Sequence, residues 1–180
     1  SEVGMEQMIR SISPIDGAIV AERPATPWPM LDNMLDRAVQ ASRHWRNVPL
    51  DERIERCRRF VDAFVADKAA IASEITVQMG RPIRYAMGEV RGFEHRARAM
   101  MALAPEALGN IVPPPKDGFE RWIQREPLGV VLVLAAWNYP YLIAVNAVVP
   151  ALLSGNVVVL KHADQTLLCA ERLAKAAQAA

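Results

Sequence analysis

The stretch LGVVLVLAAWNYPYLIAVNAVVPALLSGNVVVLKHAD, residues 128–164, decides the fold. Its first charged residue is Lys161, yet it carries Asn138, Asn146 and Asn156. A membrane span needs about 20 apolar residues in one helix, and length alone would admit one here. The run is divided instead by Gly129, Asn138, Pro140, Pro150 and the Ser154-Gly155-Asn156 turn, with no aromatic belt or Lys/Arg cluster at two interfaces. Residues 128–135 form a continuous aliphatic run of strand length, which suits a parallel strand covered on both faces. Ala136-Trp137-Asn138-Tyr139 is its exit loop, and Pro140 sits well in the first turn of a helix reaching about Leu153. Residues 157–160 are a second aliphatic strand and Lys161-His162-Ala163-Asp164 its exit loop. Asp164 can cap the Ala-rich helix from Gln165 onward. The pattern predicts a βαβα unit with a parallel sheet, and therefore an α/β protein.

Outward from this unit, the chain is 180 residues long, 52% apolar and 23% charged, the balance of a soluble globular protein. Its net charge of +1 gives no electrostatic reason to expect nucleic acid as a partner. Cys57 and Cys169 are too few for a disulfide framework and lack metal-ligand spacing, which points to a reducing compartment. The start, SEVGMEQMIRSISPIDG, lacks the basic and apolar segments of a secretory signal, so the expected location is cytoplasmic, with no membrane partner.

Upstream, ISPIDGAIV reads as two extended pieces around an Asp16-Gly17 turn. Leu31, Met34, Leu35 and Ala38 fall at helical spacing across residues 30–46. Asp51 is a plausible cap for a second helix carrying Ile54, Val61, Phe64 and Val65. Ile71, Ile75 and Met79 continue a helical pattern that Gly80 and Pro82 close. A further helix over about residues 84–103 carries Arg91, Arg96 and Arg98 interleaved with Glu89 and Glu94, the pattern of a solvated, salt-bridged face. After Pro113-Pro114-Pro115 and a Lys116-Asp117-Gly118 turn, FERWIQRE (119–126) reads as a polar-rich strand, half exposed or paired at an edge.

In an open parallel sheet, ligands bind beyond the carboxyl ends of the strands. Asn138 would then be a neutral donor and acceptor at a crevice mouth, with the cation Lys161 beside it. The pair suits a phosphate- or ribose-bearing cofactor next to a reacting carbonyl. Taken singly, Asn138 before Tyr-Pro is equally a turn residue or cap, Lys161 a surface lysine, and Trp137 or Tyr139 core.

Arg125-Glu126-Pro127-Leu128-Gly129-Val130-Val131, Trp137-Asn138-Tyr139-Pro140, Pro150-Ala151-Leu152, Gly155-Asn156 and Val158-Val159-Leu160-Lys161 closely resemble the N-terminal half of the aldehyde dehydrogenase superfamily. Met79-Gly80-Arg81-Pro82 with Gly88-Glu89-Val90, and Pro14-Ile15-Asp16-Gly17, extend the resemblance over essentially the whole chain. It implies a Rossmann-type βαβα unit preceded by N-terminal helices and a polar strand of an oligomerisation arm. Residues 1–126 would be the helical segment with the arm, and 127–180 the first, incomplete part of the dinucleotide-binding domain.

The resemblance also implies roles. Asn138 would donate its amide to the oxyanion formed when a cysteine thiolate attacks an aldehyde, a neutral donor that stabilises charge without titrating. Ala135, Ala136 and Trp137 would lie along the cofactor, and Tyr139 with Ile143 would wall the aldehyde channel. Lys161 and Asp164 would hold the adenosine ribose, and a carboxylate there favours NAD over NADP, with NADP also possible. The substrate would be a small-molecule aldehyde or semialdehyde, oxidised to its acid, and the full-length protein a homo-oligomer.

This chain departs from the family where His162 replaces the usual proline after the lysine. It also contains no candidate for the nucleophilic cysteine or the general-base glutamate, and no metal site is implied. Cys57, among Arg53, Arg56, Arg58 and Arg59, reads as core, as does Cys169. The 180 residues alone are expected to be inactive. The competing expectation is a noncatalytic dinucleotide-binding or assembly module that keeps the crevice without the chemistry.

Overall fold

A computed structural model describes residues 7–180. Residues 1–6, the start of the stretch read as lacking a secretory signal, lie outside the described residues. The chain opens with an antiparallel hairpin, β1 (Met8–Ile12) and β2 (Ile19–Pro24), paired from Met8↔Pro24 to Ile12↔Ile19. Its turn is the expected one: Asp16 Oδ1 accepts the Ala18 N–H at 3.0 Å. The hairpin is stitched to a distant segment through Ser11 Oγ, which donates to the Gln165 carbonyl, and Gln165 Nε2, which donates to the Ile12 carbonyl.

Four helices follow: α1 (Trp28–Trp45), α2 (Leu50–Ala66), α3 (Lys68–Met79) and α4 (Ile83–Leu108). α2 begins at Leu50 with Pro49 at its N-cap, so Asp51 lies in the first turn rather than at the cap. There a carboxylate still meets the positive end of the helix dipole. α3 ends at Gly80, whose φ of 81° is the left-handed helix-end conformation that glycine adopts without strain. α4 runs past the expected end and accommodates Pro105 in its last turns.

The predicted βαβα unit is present as β3 (Val130–Leu134), α5 (Pro140–Leu153), β4 (Val157–Lys161) and α6 (Leu167–Ala179). β3 and β4 pair in parallel from Val130↔Val157 to Leu134↔Lys161. Asp164 does not cap α6. It opens a 3-10 turn, Asp164–Thr166, and α6 starts at Leu167.

The core draws on both sides of Pro127. Phe60 and Phe64 of α2, Ile71 and Ile75 of α3, Val90 and Phe93 of α4, Tyr141, Val145 and Val149 of α5, and Cys169 and Leu173 of α6 form one buried cluster. Phe64 stacks against Phe93 at 4.2 Å and Tyr141 at 5.0 Å between ring centroids. The expected cover on both faces of the sheet is only partly met. Val133 is buried, whereas Leu132 and Leu134 on the alternate face are 63% and 70% exposed.

FERWIQRE does not form a strand. It carries only the isolated bridges Ile111↔Ile123 and Lys116↔Phe119, and Phe119, Trp122 and Ile123 are exposed. A polar-rich edge segment needs a neighbouring strand to complete its ladder, and no described residue supplies one. No helix among the described residues is long and apolar enough to cross a membrane.

Candidate active site

β3 and β4 end at the same level because their register pairs Leu134 with Lys161. The ladder continues one step further, with the Ala135 N–H donating to the Lys161 carbonyl at 2.9 Å. Both exit loops therefore leave side by side. Ala135 is buried, Ala136 half-buried, and Trp137, Asn138 and Tyr139 are exposed.

Both acceptors of Asn138, its side-chain and main-chain carbonyl oxygens, are occupied. Its Oδ1 accepts the Tyr139 N–H at 3.1 Å, and its main-chain carbonyl accepts an Arg81 Nη2–H at 2.7 Å. The side-chain amide nitrogen donates to no other described residue, and the residue is exposed. Tyr139 lies under the Arg81 guanidinium, 4.0 Å from ring centroid to Cζ, and Ile143 stands one turn further along α5, exposed. A groove of about 470 Å3 runs beside Tyr139, lined by Arg81, Tyr85, Gly88, Glu89 and Leu142. A second, of about 270 Å3, opens between Trp137 and Gln165 over Pro14 and Met79. A more spacious groove, about 730 Å3, lies between Pro113–Pro115 and Phe119–Trp122, and neither exit loop contributes to it.

The start of α5 is held by a residue that the sequence pattern placed on a solvated face. Glu89 has a fully buried carboxylate. Its Oε1 accepts the N–H groups of Tyr141 (2.9 Å) and Leu142 (3.2 Å), and its Oε2 accepts Arg81 Nη1 at 2.8 Å. Pro140 has no N–H, so these are the first unpaired donors of the helix, and a carboxylate from α4 satisfies both. Burial pushes the Glu89 carboxyl up, while the two N–H groups and Arg81 act in the opposite sense by favouring its ionised form. Spacing did not reveal this, because Glu89 is charged and flanked by arginines. The glycine at position 92, where α4 comes close to α5, was the available signal. A Cβ at Gly92 would stand 3.0 Å from Leu142 Cδ1.

Lys161 Nζ and Asp164 Oδ1 are 3.0 Å apart at the end of β4, with side chains 59% and 61% exposed. So exposed a pair adds little stability, and both groups stay open to a ligand. An adjacent ammonium and carboxylate offer donors and acceptors together, which matches a vicinal diol such as a ribose. His162 is buried, and its Nε2–H donates to the Pro140 carbonyl at 3.0 Å, tying the second exit loop to the first turn of α5. Burial lowers its pKa. It therefore neither faces solvent nor reaches toward a ligand, and the residue replacing the family's proline is a structural tie.

Asn156 donates to Ser154 Oγ and accepts the Gly129 N–H at 2.9 Å, so the turn residue before β4 also anchors the start of β3. Asn146 accepts from Arg96 across the α4–α5 contact. Cys57 and Cys169 are buried, and desolvation raises their thiols to about 11 and about 12, so neither provides a thiolate near neutrality. No group of three or more metal-ligating side chains is found among the described residues.

The chain matches the family model described as "Aldehyde dehydrogenase family" over residues 2–180. It is similar to 3,6-anhydro-alpha-L-galactose dehydrogenase of Streptomyces coelicolor, at 31% identity over 91% of this chain and 33% of the relative. It is also similar to the succinate semialdehyde dehydrogenase (NAD(P)+) Sad of Escherichia coli, at 30% identity over 92% of this chain and 36% of that protein. Among solved structures, PnpE in complex with nicotinamide adenine dinucleotide superposes with a TM-score of 0.88 at 26% identity, over 96% of this chain and 35% of that one. The chain spans about a third of the length of the curated relatives it matches, a smaller share than the half implied by the resemblance.

Proposed function

The chain belongs to the aldehyde dehydrogenase family, and from that membership we propose that its residues serve an enzyme that oxidises an aldehyde to a carboxylic acid with NAD(P)+. Asn138 is assigned as the oxyanion donor. Addition of a nucleophile to the aldehyde carbonyl places a negative charge on oxygen, and a preorganised neutral N–H lowers the barrier to forming it. The observation that carries this reading is the amide nitrogen of the exposed Asn138, which has no described partner although its Oδ1 and main-chain carbonyl are both bonded. Tyr139 is assigned to the wall of the groove through which the aldehyde approaches, and Ile143, which stands one turn along α5 outside that groove, to the outer end of the same channel.

Lys161 and Asp164 are assigned to the adenosine ribose hydroxyls, and Ala135, Ala136 and Trp137 to the surface along which the cofactor lies. NAD(P)+ when bound supplies the hydride acceptor. The carboxylate of Asp164 would repel a phosphate on the ribose, which makes NAD the favoured cofactor. We assign the nucleophile and the general base to the part of the relatives' length that this chain does not span, since both of its cysteines are buried and hard to ionise. A semialdehyde is the substrate class we favour, because the similar Escherichia coli protein is named for one. Division near Pro127, assembly into a homo-oligomer through the arm and a cytoplasmic location belong to the same reading.

The test compares the 180-residue chain with a form extended to the length of the relatives. The short chain is expected to give no aldehyde-dependent NADH absorbance. The extended form is expected to be active, with Asn138→Ala lowering kcat by about a hundredfold or more. Turnover by the short chain, or an Asn138→Ala variant as active as its parent, would sink the assignment. An extended form that binds NAD+ calorimetrically without oxidising any aldehyde would be the noncatalytic module instead.

A further inference from the structure

Arg81 and Glu89 make one connected device under the candidate oxyanion loop. Glu89 takes the first two free N–H groups of α5, at Tyr141 and Leu142, and the guanidinium of Arg81. Arg81 passes the contact on: its second terminal nitrogen donates to the Asn138 carbonyl at 2.7 Å, and its planar face covers Tyr139 at 4.0 Å. The Asn138 carbonyl, the Tyr139 ring and the N–H groups of Tyr141 and Leu142 are thus held by Arg81 and Glu89, from α4 and its approach, while the Asn138 side chain is tied within the loop only by the bond from the Tyr139 N–H to its Oδ1. The Arg81 side chain is mostly buried and that of Glu89 completely so.

We infer that Arg81 and Glu89 are positioning residues for Asn138, setting the direction in which its free amide nitrogen points. The physical reasoning is that exposed loops between strand and helix sample many conformers, whereas an oxyanion donor must be held within a fraction of an ångström of its working place. Asn138 is exposed and cannot be held by packing. A planar cation with several fixed N–H directions can grip a carbonyl, a carboxylate and an aromatic face at once, which a lysine ammonium cannot do. Two of its five N–H donors and one face are committed to Glu89, Asn138 and Tyr139.

The catalytic part of this inference rests on Asn138 being the oxyanion donor, so the test has two readouts. The first is amide hydrogen exchange on the 180-residue chain, which requires no activity. Arg81→Met is expected to speed exchange across residues 136–143 about tenfold or more while α2 exchanges as in the parent. Glu89→Gln, which keeps an acceptor for the two N–H groups, is expected to retain more protection there than Glu89→Ala. Val61→Ala, a deletion in the buried face of α2, serves as the purely structural comparison and should speed exchange throughout. If Arg81→Met either leaves 136–143 protected or loosens the whole molecule as Val61→Ala does, the inference falls.

The second readout is steady-state kinetics in the extended form. Arg81→Met is expected to lower kcat about tenfold or more with the KM for NAD+ within about twofold, and Arg81→Lys to recover only part of the loss. Unchanged kcat alongside local loosening would overturn the positioning of Asn138 for catalysis. Local loosening in a chain whose extended parent is itself inactive would instead defeat the proposed function while leaving the grip on the loop established.

Discussion

Asn138 and His162 illustrate how much a single side chain's role here depends on the partner its backbone neighbours have already taken. Asn138 has both acceptors bonded and its side-chain donor without a described partner. His162 has the reverse situation: Nε2–H is bonded to the Pro140 carbonyl and Nδ1 is buried without a partner. Burial therefore lowers its pKa, with the nearby Lys161 charge acting in the same direction. In the unfolded chain the imidazole titrates near its ordinary value of about 6.5. Below that pH the unfolded state takes up a proton that the folded state refuses, so stability falls as pH drops and levels off beneath the folded-state value. Thermal melts between about pH 7.5 and 5.5 should show the parent losing more Tm than His162→Gln, whose amide can replace the Nε2 donor. Equal losses in the two proteins would show that His162 is not the group responsible.

At the scale of elements, α4 and α5 approach closely where Gly92 faces Leu142. The atom a Cβ would meet is the tip of a flexible leucine, so Gly92→Ala should be tolerated, its crowding offset by a helix-propensity gain of about 1 kcal/mol. Gly92→Leu has no such room and should destabilise by about 1–3 kcal/mol in urea titrations; a neutral result would mean that the two helices are not locked at this point. The same contact marks the boundary of what was legible in the sequence. β3, α5 and β4 were readable because aliphatic runs and punctuating residues such as Pro140 and Gly155 are local signals. Glu89 was not, since its burial depends on α5 arriving from about fifty residues away. Asn156 was read as a turn residue and is one, but its bond to Gly129 is also long-range. FERWIQRE has strand composition without a strand because the missing ingredient is a neighbour.

For the molecule as a whole, one core unites residues from both sides of Pro127, while one face of β3 remains open at Leu132 and Leu134. An apolar surface of that kind binds hydrophobic dyes and promotes association. The 180-residue chain should therefore enhance ANS fluorescence under native conditions, and Leu132→Ser with Leu134→Ser should abolish most of the enhancement. Dye binding unaffected by the double substitution would locate the open surface elsewhere, with the arm as the alternative. Arg81 and Glu89 also give the chain an uneven tolerance to changes in length. Each residue inserted or deleted in the early turns of α4 rotates everything after it by roughly 100° about the helix axis. A single such event between Arg81 and Glu89 would swing the carboxylate off α5 and uncouple the two residues. Residues 109–128, which carry no helix or strand, offer no comparable geometric penalty. Insertions and deletions among homologous chains should therefore collect in the arm and be absent from the eight-residue interval that begins at Arg81.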